Sequence, residues 1–289
     1  QHGDSGIEMT DWWPHLAGQV DELCFVRNMW TTDNDHAAEN QIHTGRHRLD
    51  EQQPSLGAWA HYGLGTLNEN LPKFAVLGGP TRSDTRLSID SLYLGPQHAG
   101  VPLTLDPKNP LPFGQRKAGQ SLEEQRQEYD LINKLNLLTA VEYPEDQELQ
   151  ARIRAYELAF RMQAAVPEAI DFSQETEATT KLYGINTDAT RLAGQRLLAA
   201  RRLVERGVRF VQVFPSPYGS WDSHQKLKDN HTRLCATIDL PVAQRCKAAI
   251  SDRGGHGGGS IRKRTQRIPR KDALDIRLAG GHSADRGQH

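Results

Sequence analysis

Cysteine is scarce: Cys24, Cys235 and Cys246 are the three in 289 residues, and their spacing matches no metal-binding pattern. A disulfide framework is therefore not the basis of the fold. Cys24 stands in an apolar run and reads as a small core residue. No apolar run approaches 18 residues, which predicts no membrane-spanning helix. The first residues show no basic n-region followed by an apolar h-region, so no signal peptide is visible. Charge of one sign is lacking as well, with 35 basic against 36 acidic residues. That balance excludes attraction of the whole chain to nucleic acid or an anionic membrane. No internal repeat is apparent.

The balance conceals an asymmetry. Residues 1–243 carry 24 basic and 32 acidic side chains, whereas 244–289 carry 11 and 4. The second segment has no Phe, Trp or Tyr, few large apolar residues and eight glycines. It is expected to be a disordered basic tail attached to a domain spanning 1–243. Without aromatic side chains for base stacking it does not predict nucleic-acid binding. Its glycine run, Gly254–Gly259, lacks the closing Gly-Lys-Ser/Thr of a phosphate loop.

Within 1–243 the pattern alternates between helices and short apolar strands. Asp11–Val20 predicts a short helix passing into a strand at Leu23–Met29. Ala37–His43 starts a helix, and Pro54–Leu64 makes another that ends at Gly63 and Gly65. Lys73–Leu77 reads as a buried strand stopped by Gly78-Gly79-Pro80. Arg82–Gln120 is a long loop region with one short strand at Ser91–Leu94. Ser121 and Glu124 form a capping box for a helix to about Val141, with Leu131, Leu135 and Leu138 on one face. Asp146–Val166 is a second strong helix, ended by Pro167. Thr190–Arg206 is a third, its basic run Arg196, Arg201, Arg202 and Arg206 read as a solvated face. Val208–Phe214 follows as a buried strand. Helices and strands in this order predict α/β layers with a mostly parallel sheet flanked by helices.

Ligands of such sheets sit outside the carboxyl ends of the strands. Two stretches lie there. Val208–Phe214 empties into a Pro/Gly loop carrying Trp221-Asp222-Ser223-His224. Carboxylate and imidazole suit Zn, Mn or Fe, and carboxylate alone suits Mg or Ca. Extended i,i+2 spacing places Asp222 and His224 on one face, and His231 follows within reach of the same cleft. The alternative is an Asp-Ser-His turn that caps the next helix. The second stretch is Thr31–Arg46, with Asp33, Asp35, His36, Glu39 and His43. Its helix N-terminus offers a seat for phosphate or sulfate. His36, Thr31 or Thr32 is a candidate nucleophile or ligand there, and Arg46 a bidentate anion clamp. The alternative is a polar loop with an N-cap at Asn34 or Asp35 and a surface arginine.

Trp13-Pro14-His15-Leu16, Leu23–Met29, Asn34-Asp35-His36, His43-Thr44-Gly45, Pro54-Ser55-Leu56-Gly57, Tyr156–Gln163, Leu197–Gln212 and Trp221–His224 together resemble domain-of-unknown-function family 1501. That bacterial family is placed among sulfatase-like proteins of the alkaline-phosphatase-like superfamily. The resemblance covers most of residues 7–243. It implies a doubly wound, mostly parallel α/β sheet flanked by helices, alkaline-phosphatase-like and incomplete in this chain, and a metal-dependent hydrolase of phosphate or sulfate esters. Small molecules or glycans are the implied substrates, with a divalent metal (Zn, Mn, Mg or Ca) as cofactor. Asp222, His224 and His231 would be its ligands, with Asp35, His36 and Arg46 around the nucleophile or anion slot. Thr44-Gly45-Arg46 is similar to the end of the sulfatase nucleophile segment. No Cys/Ser-X-Pro-X-Arg precedes it, so formylglycine chemistry is not expected. The family's twin-arginine export signal is not in this chain, nor are its later Glu-Phe-Gly-Arg-Thr-Pro and Gly-Arg-Asp-His motifs. The implied location is periplasmic or secreted. The chain reads as starting inside the domain, with residues after Ala243 as a frame-shifted reading of the gene. A binding or scaffold domain that kept the fold without the chemistry is the alternative function.

Overall fold

The computed structural model describes residues 1–32, 38–47, 49–79, 83–106, 111, 119–143, 146–216 and 219–254. The chain divides into a unit of residues 1–249 and one of residues 250–289.

Phe-Ala-Val-Leu forms β1, Phe74–Leu77, buried at all four positions. Burial of both faces identifies it as the centre of a sheet. It lies between β2 (Val101–Leu103) and β3 (Phe210–Val213), in the order β2-β1-β3, with both pairings parallel. Ala75 is in register with Val101 and Val211, and Leu77 with Leu103 and Val213. The protein is thus α/β, with a small open parallel sheet flanked by helices. β3 departs from the buried strand expected at Val208–Phe214: it is an edge strand and only half-buried. The short strand expected at Ser91–Leu94 is displaced to β2. Residues 83–89, 92–94 and 96–98 are instead 3₁₀ turns.

Alternation along β1 divides the core in two. Ala75 and Leu77 join Leu103, Met162, Val166, Ala199 and Leu203. Leu103 is on β2, and the other partners come from α5 (Gln147–Ile170) and α7 (Asp188–Glu205). Phe74 and Val76 face the other way, against Ile89, Phe210 and Phe214. The Phe74 and Phe210 rings meet edge to face, 5.3 Å between centroids. Helix α3, Leu56–Leu64, covers this face and is N-capped by Ser55, which accepts from the amide of Ala58. Its close approach depends on Gly57, where a Cβ would lie 2.3 Å from the Phe74 ring.

Other helices follow the sequence closely, with informative exceptions. The capping box of Ser121 and Glu124 is present and starts α4, Leu122–Glu142. Its expected apolar face is not covered: Leu131, Leu135 and Leu138 are exposed. α4 meets α5 instead through the stacked rings of Tyr129 and Phe160, 4.8 Å apart. Pro167 does not end α5, which runs on to Ile170. Pro167 removes one helical N–H bond, but the last turn beyond it buries Ala169 and Ile170 completely. Arg202 of α7 closes that end, donating through Nε to Ala169 O (2.8 Å) and through Nη2 to Glu168 O (2.9 Å). Its Nη1 pairs with Glu175. The basic run of α7 is therefore not simply a solvated face.

The N-terminal segment departs furthest from expectation. The helix expected over Asp11–Val20 shrinks to one turn, α1, Pro14–Ala17, followed by a 3₁₀ turn at Val20–Glu22. Leu23–Met29 forms no strand, and Val26 and Met29 are exposed. Apolar residues alone do not make a strand where no neighbouring strand accepts their backbone. α1 is held by a distant group. The buried carboxylate of Asp239 accepts the amides of His15 (2.9 Å) and Leu16 (2.8 Å). Asp239 lies on α8, Leu227–Gly254, which stays helical beyond Ala243. The remainder of the basic tail, 255–289, lies outside the described residues. Among the described residues no helix is long and apolar enough to cross a membrane.

Candidate functional site

From β1 the chain goes to β2 on one side and later to β3 on the other. At such a reversal the loops leaving neighbouring strands separate and leave a crevice at their carboxyl ends. The crevice between β1 and β3 is bounded by Gly78-Gly79 after β1 and by Phe214 and its loop after β3.

The β3 loop carries Asp222 and His224 as its sequence predicts. His224 Nε2 and Asp222 Oδ2 are 2.8 Å apart. The His224 side chain is 84% exposed and that of Asp222 39%, so solvent screens the pair and it contributes little to folding. His231, in the first turns of α8, does not join them. Its Nε2 lies 3.0 Å from Trp221 O, and its ring stacks on Trp221 at 5.9 Å and meets Trp12 edge-on at 6.0 Å. Asp222 and His224 are donors of the right kind for Zn or Mn, and supply two of the four that a tetrahedral site requires. Among the described residues no three His, Cys, Asp or Glu side chains group to hold a metal.

Asp35 and His36 lie outside the described residues. The helix expected after them is α2, Ala38–Thr44. Thr31 and Thr32, the candidate hydroxyls, are exposed and both donate to Gln41 Oε1. Arg46 is exposed and follows the C-terminus of α2. Seven residues of helix span about 10 Å, so Arg46 and the N-terminal amides of α2 are at opposite ends. Among the described residues of this stretch, His43 reaches the crevice. Its ring lies 5.9 Å from that of Phe214, and burial lowers its pKa.

One residue at the crevice escaped the sequence reading. Arg196 of α7 is half-buried and donates through Nη1 to Phe214 O at 2.6 Å. The guanidinium rests on Gly78 (φ +81°), where a Cβ would lie 2.5 Å from Arg196 Cζ. Burial pushes its pKa down. A signal was present: Arg196 has only Ala and Leu at i±3 and i±4, whereas Arg201 has Glu205 and Arg191 has Asp188. A shallow cavity of about 430 Å³, lined by Asn70, Phe160, Arg161, Ala165 and Glu168, opens elsewhere beside α5. None of the predicted site residues lines it.

A family model described as "Protein of unknown function (DUF1501)" matches residues 1–253, extending past the limit at Ala243 expected from motifs. No curated protein and no solved structure matches the chain.

Proposed function

The chain belongs to the DUF1501 family, and on that premise we propose that it is a sulfatase-like, metal-assisted hydrolase of phosphate or sulfate esters. Small molecules or glycans are its substrates, an alkaline-phosphatase-like sheet its framework, and the periplasm or exterior its place of action. The observation that carries the reading is the 2.8 Å approach of His224 Nε2 to Asp222 Oδ2 on the loop leaving β3. An exposed pair adds little to stability. Asp222 and His224 would hold the cation, which when bound supplies Lewis-acid polarisation of an ester oxygen. The protein's own part is to keep the carboxylate and imidazole on one side of the loop. Arg46 would meet the anionic ester, and Asp35 and His36 the reacting end.

Elemental mass spectrometry of the purified protein tests the reading. Stoichiometric Zn, Mn, Mg or Ca is expected, lost in Asp222→Ala/His224→Ala, together with turnover of a phosphate or sulfate ester by the wild type alone. A folded wild type without metal or turnover would overturn it. One observation favours a second reading, a binding domain without chemistry: Asp222 and His224 already satisfy each other. Saturable ligand binding without turnover, in a metal-free protein, is its expected signature.

A further inference from the structure

Helix α7 and its C-cap carry five arginines, and four have acidic partners. Arg191 pairs with Asp188, Arg201 with Glu205, Arg202 with Glu175 and Arg206 with Glu168. Arg196 meets no carboxylate among the described residues, although it is half-buried. Withdrawing a cation from water without a counter-charge is costly. A carbonyl at 2.6 Å offsets part of that cost and occupies Nη1 only. The Nε–Nη2 edge of the fork, the edge that grips oxyanions side-on, has no partner among the described residues.

The backbone beside it is similarly unused. Among the described residues the amides of Gly78 and Gly79 donate to no backbone carbonyl. Gly78 packs directly under the guanidinium, as only a residue without Cβ can. A planar cationic fork and two backbone donors thus stand together at the carboxyl ends of β1 and β3, where the strand order reverses. Nε, Nη2 and the two amides make four donor groups, one for each oxygen of a tetrahedral group.

We propose that Arg196 and the Gly78-Gly79 amides form a binding seat for a tetrahedral oxyanion, phosphate or sulfate, free or as the terminal group of a larger molecule. The seat goes beyond the ester reading, since it needs neither metal nor turnover. Its anion-holding residue is Arg196 rather than Arg46.

Calorimetric titration of the full chain with inorganic phosphate and with sulfate, in EDTA, tests it. Saturable binding is expected, weakened about tenfold or more in Arg196→Gln and unchanged in Arg201→Gln, whose arginine has its own partner. Arg196→Lys, which keeps the charge but not the fork, should fall between. If Arg196→Gln does not fold, the wild type still decides. Phosphate should slow phenylglyoxal modification of Arg196, followed by peptide mass spectrometry. Failure of both anions to bind the wild type, equal binding by folded Arg196→Gln, or unprotected labelling would overturn the seat. Anion binding by a protein that hydrolyses no ester would keep the seat and sink the ester reading.

Discussion

His61 and His98 face one another across the α3 surface with their Nδ1 atoms 3.2 Å apart and ring centroids 4.3 Å apart. One nitrogen must carry the proton and the other accept it, so the contact requires at least one neutral ring. Burial, then the neighbouring His98 and Lys73, lower the pKa of His61 from 6.5 to about 4. His98 is lowered too, chiefly by burial.

Stability should therefore fall on acidification. The unfolded chain takes up a proton at His61 near pH 6.5, while the folded chain resists until about pH 4. Stabilisation by the neutral ring is complete above the unfolded value, is lost progressively between 6.5 and 4, and does not fall further below that. The loss is on the order of 3 kcal/mol. Urea unfolding at pH 7, 5.5 and 4 should show it, and His61→Gln should flatten that part of the profile. An unchanged slope in the variant would remove His61 as the cause.

Arg202 should be among the most sensitive positions of α7. It joins Glu175, Ala169 O and Glu168 O through three different nitrogens. Arg202→Lys keeps the charge but not the fork, and leaves carbonyls at the end of α5 without donors. A loss of about 2–4 kcal/mol is expected in urea unfolding. Arg201→Lys, at a partly exposed pair within one helix, should lose less than about 1 kcal/mol. Equal effects at the two positions would contradict the assignment.

Asp239→Ala should release α1. Two amides would lose a charged acceptor, at about 1.5–3 kcal/mol for such bonds. Hydrogen exchange read peptide by peptide should show faster exchange at His15 and Leu16, with the amides of β1 still protected. Unaltered exchange at those two positions would mean that other packing holds the turn.

What was legible in the sequence is what short-range chemistry determines. The capping box of Ser121 and Glu124, the Gly65 end of α3 and the apolar run of β1 each depend on neighbours in the chain. Pro167 was misread because the burial of Ala169 and Ile170 outweighs one missing amide. Leu23–Met29 was misread because a strand is defined by its partner, which composition does not reveal. At the site, Asp222 and His224 are two residues apart and their pairing could be anticipated. Arg196 and Gly78 are joined only through the parallel pairing of β1 with β3, so their juxtaposition follows from topology. The lack of an acidic residue at i±3 or i±4 was the local trace that Arg196 left.

Asp239 accepts the amide of Leu16 across a separation of 223 residues. During synthesis the α1 turn emerges well before its acceptor. Until Asp239 follows, His15 and Leu16 must be satisfied by water or by borrowed partners. The α1 turn therefore assumes its final form only after Asp239 has been made, and any chain stopped before Asp239 would leave the ribosome with that turn unfastened.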